Sequence, residues 1–529
     1  MRLNRREFLI SGPAAGAAAA ADGPKPRIGL VSSGHRKLLR PLSQEDPLDY
    51  EAVRDMVWTA IGYGKTRAGK LEARIPAGCW VVVKPNIVFL PPQGGYRPGD
   101  ITDLRVTKAV VEYVARHSRA ARITVAEGGS YRGARDLGEE AAVRQNGRRV
   151  DCAGFDWGVD EYPGFRGTIA GMLEEFRRQF PGKKFDFIDL NYDTARDPSG
   201  APRRIPVPRT ARGVGAFGAR GDYFVTNTIL NCGFLINVPV MKVHSMGLTA
   251  CLKNYVGTAP REVYAPPGRG FAAGRLHDEH SVDGRTDPFI VDLAAFHPPD
   301  YNVLDGIRGL QHTPHNNRKP DQMLRNNMVL AGEDPVALDA LAASLMGYNV
   351  WDMDFLHLAA KRDLGTMDLR RIEVAGDDAE RVRRRWGKPA QWAGRCNREW
   401  RVSADPASPV AGWQLYTSPT DTLRFAKCLP EEKSYGAAVT VHSDGAAKAF
   451  LWAGLRGRAV VSLNGEQVMD ERNDGEYRIG QFRKAVELRS GRNQLVFRVE
   501  AGQDPPQLSA KLAGPRNDGD SLEGIRWSA

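Results

Sequence analysis

INVPVMKVHSMGLTACLKNYVG, Ile236 to Gly257, is the stretch on which the reading of this chain turns. The apolar run from Phe234 to Val238 has the composition of a buried strand, and Pro239 stops its ladder where the polar residues begin. Chemistry is thereby placed at the end of a strand. Between Asn237 and Asn254 stand Lys242, His244 and Lys253, among small or apolar neighbours. Desolvated lysines raise the free energy of a fold unless an anion, a carboxylate or deprotonation compensates, so converging lysines mark a site for something negative. The plainer reading lays both lysine stems along ordinary loops with their heads in water.

Outward from this stretch, from Arg27 to Gly376, apolar strand-like runs alternate with helical patterns, which predicts an α/β domain with a mostly parallel sheet. Arg27 to Ser32 opens it, and Tyr50 to Gly62 follows as a helix. Trp80 to Val83 reads as a buried strand ending in Lys84-Pro85-Asn86. Thr102 to Arg116 carries valines at helical spacing, and Arg122 to Ala126 is a strand ending in Glu127-Gly128-Gly129-Ser130. Open α/β sheets place ligands beyond the carboxyl ends of their strands. Lys84 with Asn86, Glu127 to Ser130, and Asn237 to His244 are three polar sets at such ends, able to meet in one cleft. Gly128 and Gly129 would let backbone N–H groups approach an oxyanion, although a Gly-Gly-Ser is more often only a turn. Neither a dinucleotide-binding GxGxxG nor a P-loop is present.

Arg132 to Arg220 is irregular and rich in Gly, Pro and Arg, an insertion or lid with one amphipathic helix around Ile169 to Phe180. Phe185 to Leu190 supplies a short strand before Asn191, while Asp222 to Leu230 suits either a helix or a strand. Past Gly257 a Gly- and Pro-rich loop leads to His277-Asp278-Glu279-His280, with Asp283, Asp287 and Asp292 beyond. Two histidines three apart could join His244 around a divalent metal, but no HExxH-type motif fixes the geometry, and such runs are commonly solvated loops. Tyr301 to Leu304 is a strand delivering Asp305-Gly306. Met328 to Gly332 is another, followed by a helix from Val336 to Met346 that Asp334 would cap, with Pro335 at its first position. Asp339 lies inside that helix and faces either solvent or the sheet.

Taken together, VVVKPNIV (Val81 to Val88), TDLRVTKAVVEYV (Thr102 to Val114), VAEGGS (Val125 to Ser130), the central stretch, VDL (Val291 to Leu293), NVLDGI (Asn302 to Ile307) and AGEDPVALDALAASLMG (Ala331 to Gly347) resemble domain-of-unknown-function family 362 of bacteria and archaea. The resemblance covers about 81–376 and implies a fold, not a reaction. It carries the family's motif residues onto Lys84, Asn86, Glu127, Lys242, His244, Lys253, Asn254, Asp305 and Asp334. It also implies a histidine ahead of a VDL strand, a place that His277 or His280 fills. Some relatives carry cysteine-rich ferredoxin segments. Here Cys79, Cys152, Cys232, Cys251, Cys396 and Cys428 lie far apart without a CxxC, which argues against an iron–sulfur cluster and a cysteine zinc site. Disulfides would suit an oxidising compartment, but spacing does not pair them.

Residues 1–21 read as a twin-arginine export signal, with Asn4-Arg5-Arg6-Glu7-Phe8-Leu9 before an alanine-rich stretch and Ala19-Ala20-Ala21 as the cleavage site. The expected partner is the twin-arginine export machinery, and the expected location is the periplasm or beyond. No later stretch reaches the roughly 18 apolar residues of a membrane span. The formal net charge of +11 owes much to Arg203–Arg212 and Arg381–Arg385. Without a binding motif or aromatic interleaving, these runs read as a solvated basic face and not as a nucleic-acid surface.

The composition turns to Arg, Trp, Gly and Pro over 377–411, a linker, and alternating runs dominate 412–529. These predict an antiparallel β-sandwich. Asn464-Gly465 as a hairpin turn within Val460 to Val468, and Gly491-Arg492-Asn493 before Gln494 to Val499, resemble the galactose-binding-like jelly rolls attached to many exported glycosidases. A glycan is thus a candidate partner, although in such modules both turns are structural devices.

The functional expectation is an exported enzyme acting on a small anionic or carbohydrate-derived molecule. Lys84, Lys242 and Lys253 would stabilise negative charge, and His244 would be the general acid or base with Glu127 as its partner. Asn86, Gly128, Ser130, Asn254 and Asp305 would bind substrate. The alternatives are a non-catalytic anion- or glycan-binding protein, and a metal-dependent enzyme using His244, His277 and His280.

Overall fold

A computed structural model describes residues 25–66, 69–88, 98–128, 144–145, 148–157, 163–165, 167–264, 274–315 and 321–529. The export segment, Gly129 and Ser130 lie outside these. The chain divides into two compact units, one of 24–350 with 355–390 and one of 391–529 with 351–354.

The first unit is built on an eight-stranded sheet. Its strands are β1 (Arg27–Ser32), β2 (Trp80–Pro85), β3 (Arg122–Ala126), β4 (Lys184–Ile188), β5 (Phe234–Val238), a two-stranded hairpin β6 (Lys242–His244) and β7 (Gly247–Thr249) outside the sheet, then β8 (Tyr301–Leu310), β9 (Met323–Gly332) and β10 (Glu373–Gly376). The order across the sheet is β10-β1-β9-β8-β5-β2-β3-β4. Neighbours from β8 through β4 run parallel, as do β10 and β1, while β9 lies antiparallel to both β1 and β8. β2 and β5 are apolar almost throughout because both faces of a parallel sheet are covered.

Helices α1 (Tyr50–Tyr63) and α2 (Leu104–His117) lay their buried stripes on the sheet, Val53, Met56, Val57 and Ala60 from one and Val106, Val110, Val111 and Val114 from the other. Asp103 caps α2, accepting from Arg105 N at 3.0 Å. Helix α3 (Ile169–Gln179) lies where the amphipathic pattern predicts it. The strand after it joins the main sheet as edge strand β4, so this part of the insertion extends the sheet and is no lid.

Three local expectations are corrected. Asp222 to Leu230 is both things in turn, a strand over Asp222–Phe224 and a helix over Asn227–Asn231. The HDEH run is the end of helix α4 (Gly274–His280). VDL is no strand but the middle of helix α5 (Asp287–Phe296), a helix so completely buried that its apolar run mimics a buried strand. Helix α6 (Pro335–Leu345) follows the expected design, with Asp334 Oδ1 accepting from Ala337 N at 2.8 Å and Pro335 at its start.

The second unit is an antiparallel sheet of ten strands curled around its own core. Its spine is Ala447–Leu463, which pairs by its first half with Phe482–Leu488 and Gln507–Ala513, and by its second half with Glu466–Asn473 and Gly491–Glu500. Glu399–Ser403, inside the stretch expected to be linker, is a strand of this sheet. Asn464 and Gly465 take φ of 55° and 88° and form the hairpin turn, as left-handed residues in such two-residue loops do. Asn493 is buried and fastens the backbone of Arg489, accepting from its N at 2.9 Å and donating to its O at 2.8 Å. All six cysteines are free thiols. No helix among the described residues is long and apolar enough to cross a membrane.

Candidate functional site

The carboxyl ends of β2, β3, β4, β5 and β8 open on one cavity with about 550 Å³ of empty space, part of it continuous with solvent. Asn86 follows β2, Glu127 follows β3, Asn191 follows β4, and His315 lies beyond β8. Lys242, His244 and Thr249 come from the β6–β7 hairpin, Lys253 from the 3₁₀ turn Lys253–Thr258, and Arg261 from the short helix after it. Five of the anticipated side chains, Asn86, Glu127, Lys242, His244 and Lys253, therefore share one cleft.

Lys84, Asn254 and Asp305 do not line it, a correction to the substrate-binding set. Register sets Lys84 beside Asn237, and Asn237 beside Asn302, in a polar row across three strands. Lys84 Nζ ion-pairs with Glu127 and donates to Asn254 Oδ1 at 3.2 Å. Asn254 Nδ2 donates to Asn237 Oδ1 at 2.7 Å, and its Oδ1 also accepts from Asn86 Nδ2 at 3.0 Å. Both residues are buried behind the cavity wall and hold the lining residues in place. Asp305 is not at a strand end, because β8 runs on to Leu310. It accepts from Asp103 N at 2.7 Å and Ile307 N at 2.9 Å, and burial, then the nearby Asp103, pushes its pKa up to about 7.

Gly128 makes no open cradle, since a Cβ there would stand 2.5 Å from the Asn191 side chain. Its N–H, with that of Ile87, instead supports the Glu127 carboxylate. Burial raises the Glu127 pKa, and Lys84 opposes the rise. Gly257 closes over this pair, where a Cβ would lie 2.8 Å from Lys84 Nζ and 3.0 Å from Glu127 Oε1.

The cationic side of the cavity is not neutralised in the same way. Lys242 Nζ donates to Asp100 O and, at 3.3 Å, to Asn86 Oδ1, and burial lowers its pKa to about 8 against the pull of Asp100. Lys253 makes no hydrogen bond or ion pair among the described residues, and burial lowers it also to about 8, with Asp287 pulling the other way. His244 Nδ1 is 3.0 Å from Ser245 Oγ. Burial first, then the charges of Lys253, His315 and Lys242, hold its pKa well below 6.5, so its imidazole is neutral at pH 7. His315 is pushed down to about 2 by burial and the same two lysines. Its ring centroid is 6.3 Å from that of His244.

His315, Arg261, Asn191 and Thr249 escape the sequence reading. Asn191 carries the signal already used for the others, a polar residue just past an apolar run, and His315 does not. Arg261 and Thr249 carry none.

The three histidines do not gather. His280 is buried, stacked on Tyr223 at 3.9 Å and joined through Nε2 to Tyr264 Oη at 3.2 Å, and burial lowers its pKa to about 4. His277 packs edge-on against Phe289 on α5. Among the described residues no group of three or more His, Cys, Asp or Glu is placed to hold a metal ion. The VDL aspartate, Asp292, is occupied by Phe217 N at 2.9 Å, Gly218 N at 2.8 Å and Tyr223 Oη at 2.9 Å.

Residues 203–344 match the model of a family described as Domain of unknown function (DUF362). This span holds the central stretch and α5 through most of α6. No curated protein matches the chain. Among solved structures, the lactate racemase apoprotein from Thermoanaerobacterium thermosaccharolyticum is 10% identical over 57% of this chain and 55% of its own, with a TM-score of 0.23. A β-glucosidase from Kluyveromyces marxianus in complex with glucose is 13% identical over 22% of this chain and 15% of its own, with a TM-score of 0.18. A family 35 carbohydrate binding module from an environmental isolate is 15% identical over 19% of this chain and 77% of its own, with a TM-score of 0.15. Scores of this size do not establish a shared fold, and the chain spans only part of the two enzymes.

Proposed function

We propose that the protein is an enzyme acting on a small anionic substrate, a carboxylic or sugar acid, in the cavity beyond the sheet. One observation carries this reading. Among the described residues, Lys242, Lys253 and Arg261 face a common space in which the one carboxylate, Glu127, is already paired with Lys84 from behind. A desolvated group of like charges is unfavourable by itself and is relieved by an anion of matching size. The neutral imidazole of His244 is suited to take a proton from a substrate held there, and the arriving anion would raise its pKa toward the range of an effective base.

Turnover tests this. A panel of small 2-hydroxy, 2-oxo and sugar acids is incubated with the protein, and consumption is followed by mass spectrometry. A reactive acid should lose about 10²–10⁴ of its rate in His244→Gln. Stoichiometric capture without turnover would leave only a binding protein. We further propose export through the twin-arginine leader, checked by retention inside the cell when Arg5 and Arg6 are replaced by Lys. The second unit we read as a galactose-binding-like jelly roll. Its two signature turns hold strands together, so a glycan array is expected to show selectivity only from other loops.

A further inference from the structure

Two lysines face the cavity, and their situations differ. Lys242 is tethered as a donor to Asp100 O and Asn86 Oδ1, which fixes the position of its nitrogen. Lys253 Nζ has no hydrogen-bond or ion-pair partner among the described residues, and after burial it is the strongest influence on His244. Desolvation weakens its hold on a proton, with the Asp287 carboxylate pulling the other way. An unencumbered amine, a neutral imidazole to exchange its proton and nearby cations for a carboxylate are the parts of a carbonyl-condensing site.

We propose that Lys253 condenses with the carbonyl carbon of a small 2-oxo acid to form a Schiff base, with Lys242 and Arg261 holding the carboxylate. This deepens the anionic-substrate reading and rests on it. His244 takes one proton from the Lys253 ammonium. The freed Nζ lone pair forms the C–N bond while the C=O π pair moves to oxygen, and a proton passes from nitrogen to that oxygen. The imidazolium returns its proton to the hydroxyl, the C–O bond breaks, water leaves, and the nitrogen lone pair closes a protonated C=N. Ammonium plus ketone gives iminium plus water, with His244 restored and no oxidant or reductant required. A carbon so linked is activated for loss of a proton or of carbon dioxide, because the iminium accepts the electron pair.

The test is reductive trapping on the full chain. Pyruvate with sodium cyanoborohydride should add one reduced adduct per chain, mapped to Lys253 by peptide mass spectrometry, lost in Lys253→Arg and suppressed by excess propionate. Calorimetric titration with propionate, which lacks the carbonyl, reports the anion site separately. Binding of propionate sensitive to Lys242→Ala, with no adduct, with adducts spread over other lysines or with trapping retained in Lys253→Arg, overturns the condensation and leaves the anion reading standing. If neither propionate nor pyruvate binds, both fall.

Discussion

Lys84 and Lys253 show how similar residues take opposite parts. The Lys84–Glu127 pair is buried and supported by Asn254, Ile87 and Gly128, so removing one partner strands the other charge. Lys84→Met should therefore cost about 3–5 kcal/mol in urea unfolding, with Lys84→Met/Glu127→Gln recovering a good part. A full loss in the double variant would mean that packing, not charge, is at stake. Lys253 should behave in the reverse sense. Its folded pKa of about 8 lies below the ordinary 10.5, so its charged form is disfavoured by the fold. The stability gained from this depressed value is present above 10.5 and lost as pH falls through 8. Lys253→Met should thus raise stability at pH 7 by on the order of 1–2 kcal/mol, and the gain should vanish only above the ordinary 10.5. Equal stability at all pH values would show the ammonium to be solvated. That charged side chains collect at strand ends is legible in the residues themselves. Which of them face the cavity and which stand behind it depends on register and on Asn254, information that composition does not hold.

Among the elements, the turn that carries Lys253 is held by a helix distant in sequence. Asp339, within α6, accepts from Cys251 N at 2.7 Å and Leu252 N at 3.0 Å, and burial pushes its pKa up to about 7. Asp339→Ala should cost about 2–4 kcal/mol and weaken anion binding, because it frees two buried N–H groups just before Lys253. Unchanged binding would show that the turn holds its shape unaided. The strands β2, β3 and β5 and helices α2 and α6 are readable from apolar runs, helical spacing and caps. The β6–β7 hairpin is not, because three-residue strands leave no period. The strand expected at VDL comes with the family resemblance, and the nearly complete burial of helix α5 leaves no helical alternation in the residues to contradict it.

In the whole molecule, the boundary between the two units is set by chemistry more than by composition. Residues 351–354 belong to the second unit, where Asp352 meets Lys511 Nζ at 3.1 Å and accepts from Ser521 N at 2.6 Å. Both charges are buried. Asp352→Ala should lower the stability of that unit by about 3–5 kcal/mol, and adding Lys511→Met should restore much of it. The proposed anion binding rests on the convergence of Lys242, Lys253 and Arg261 on the first unit's cavity. Its most direct test is the affinity of the full chain for propionate, measured by calorimetry from pH 6 to pH 10. The account predicts one site per chain, binding that fades above about pH 8 as Lys242 and Lys253 lose their protons, and at least tenfold weaker binding in Lys242→Ala at pH 7. Binding that is absent, or that is indifferent both to pH and to Lys242, would contradict it.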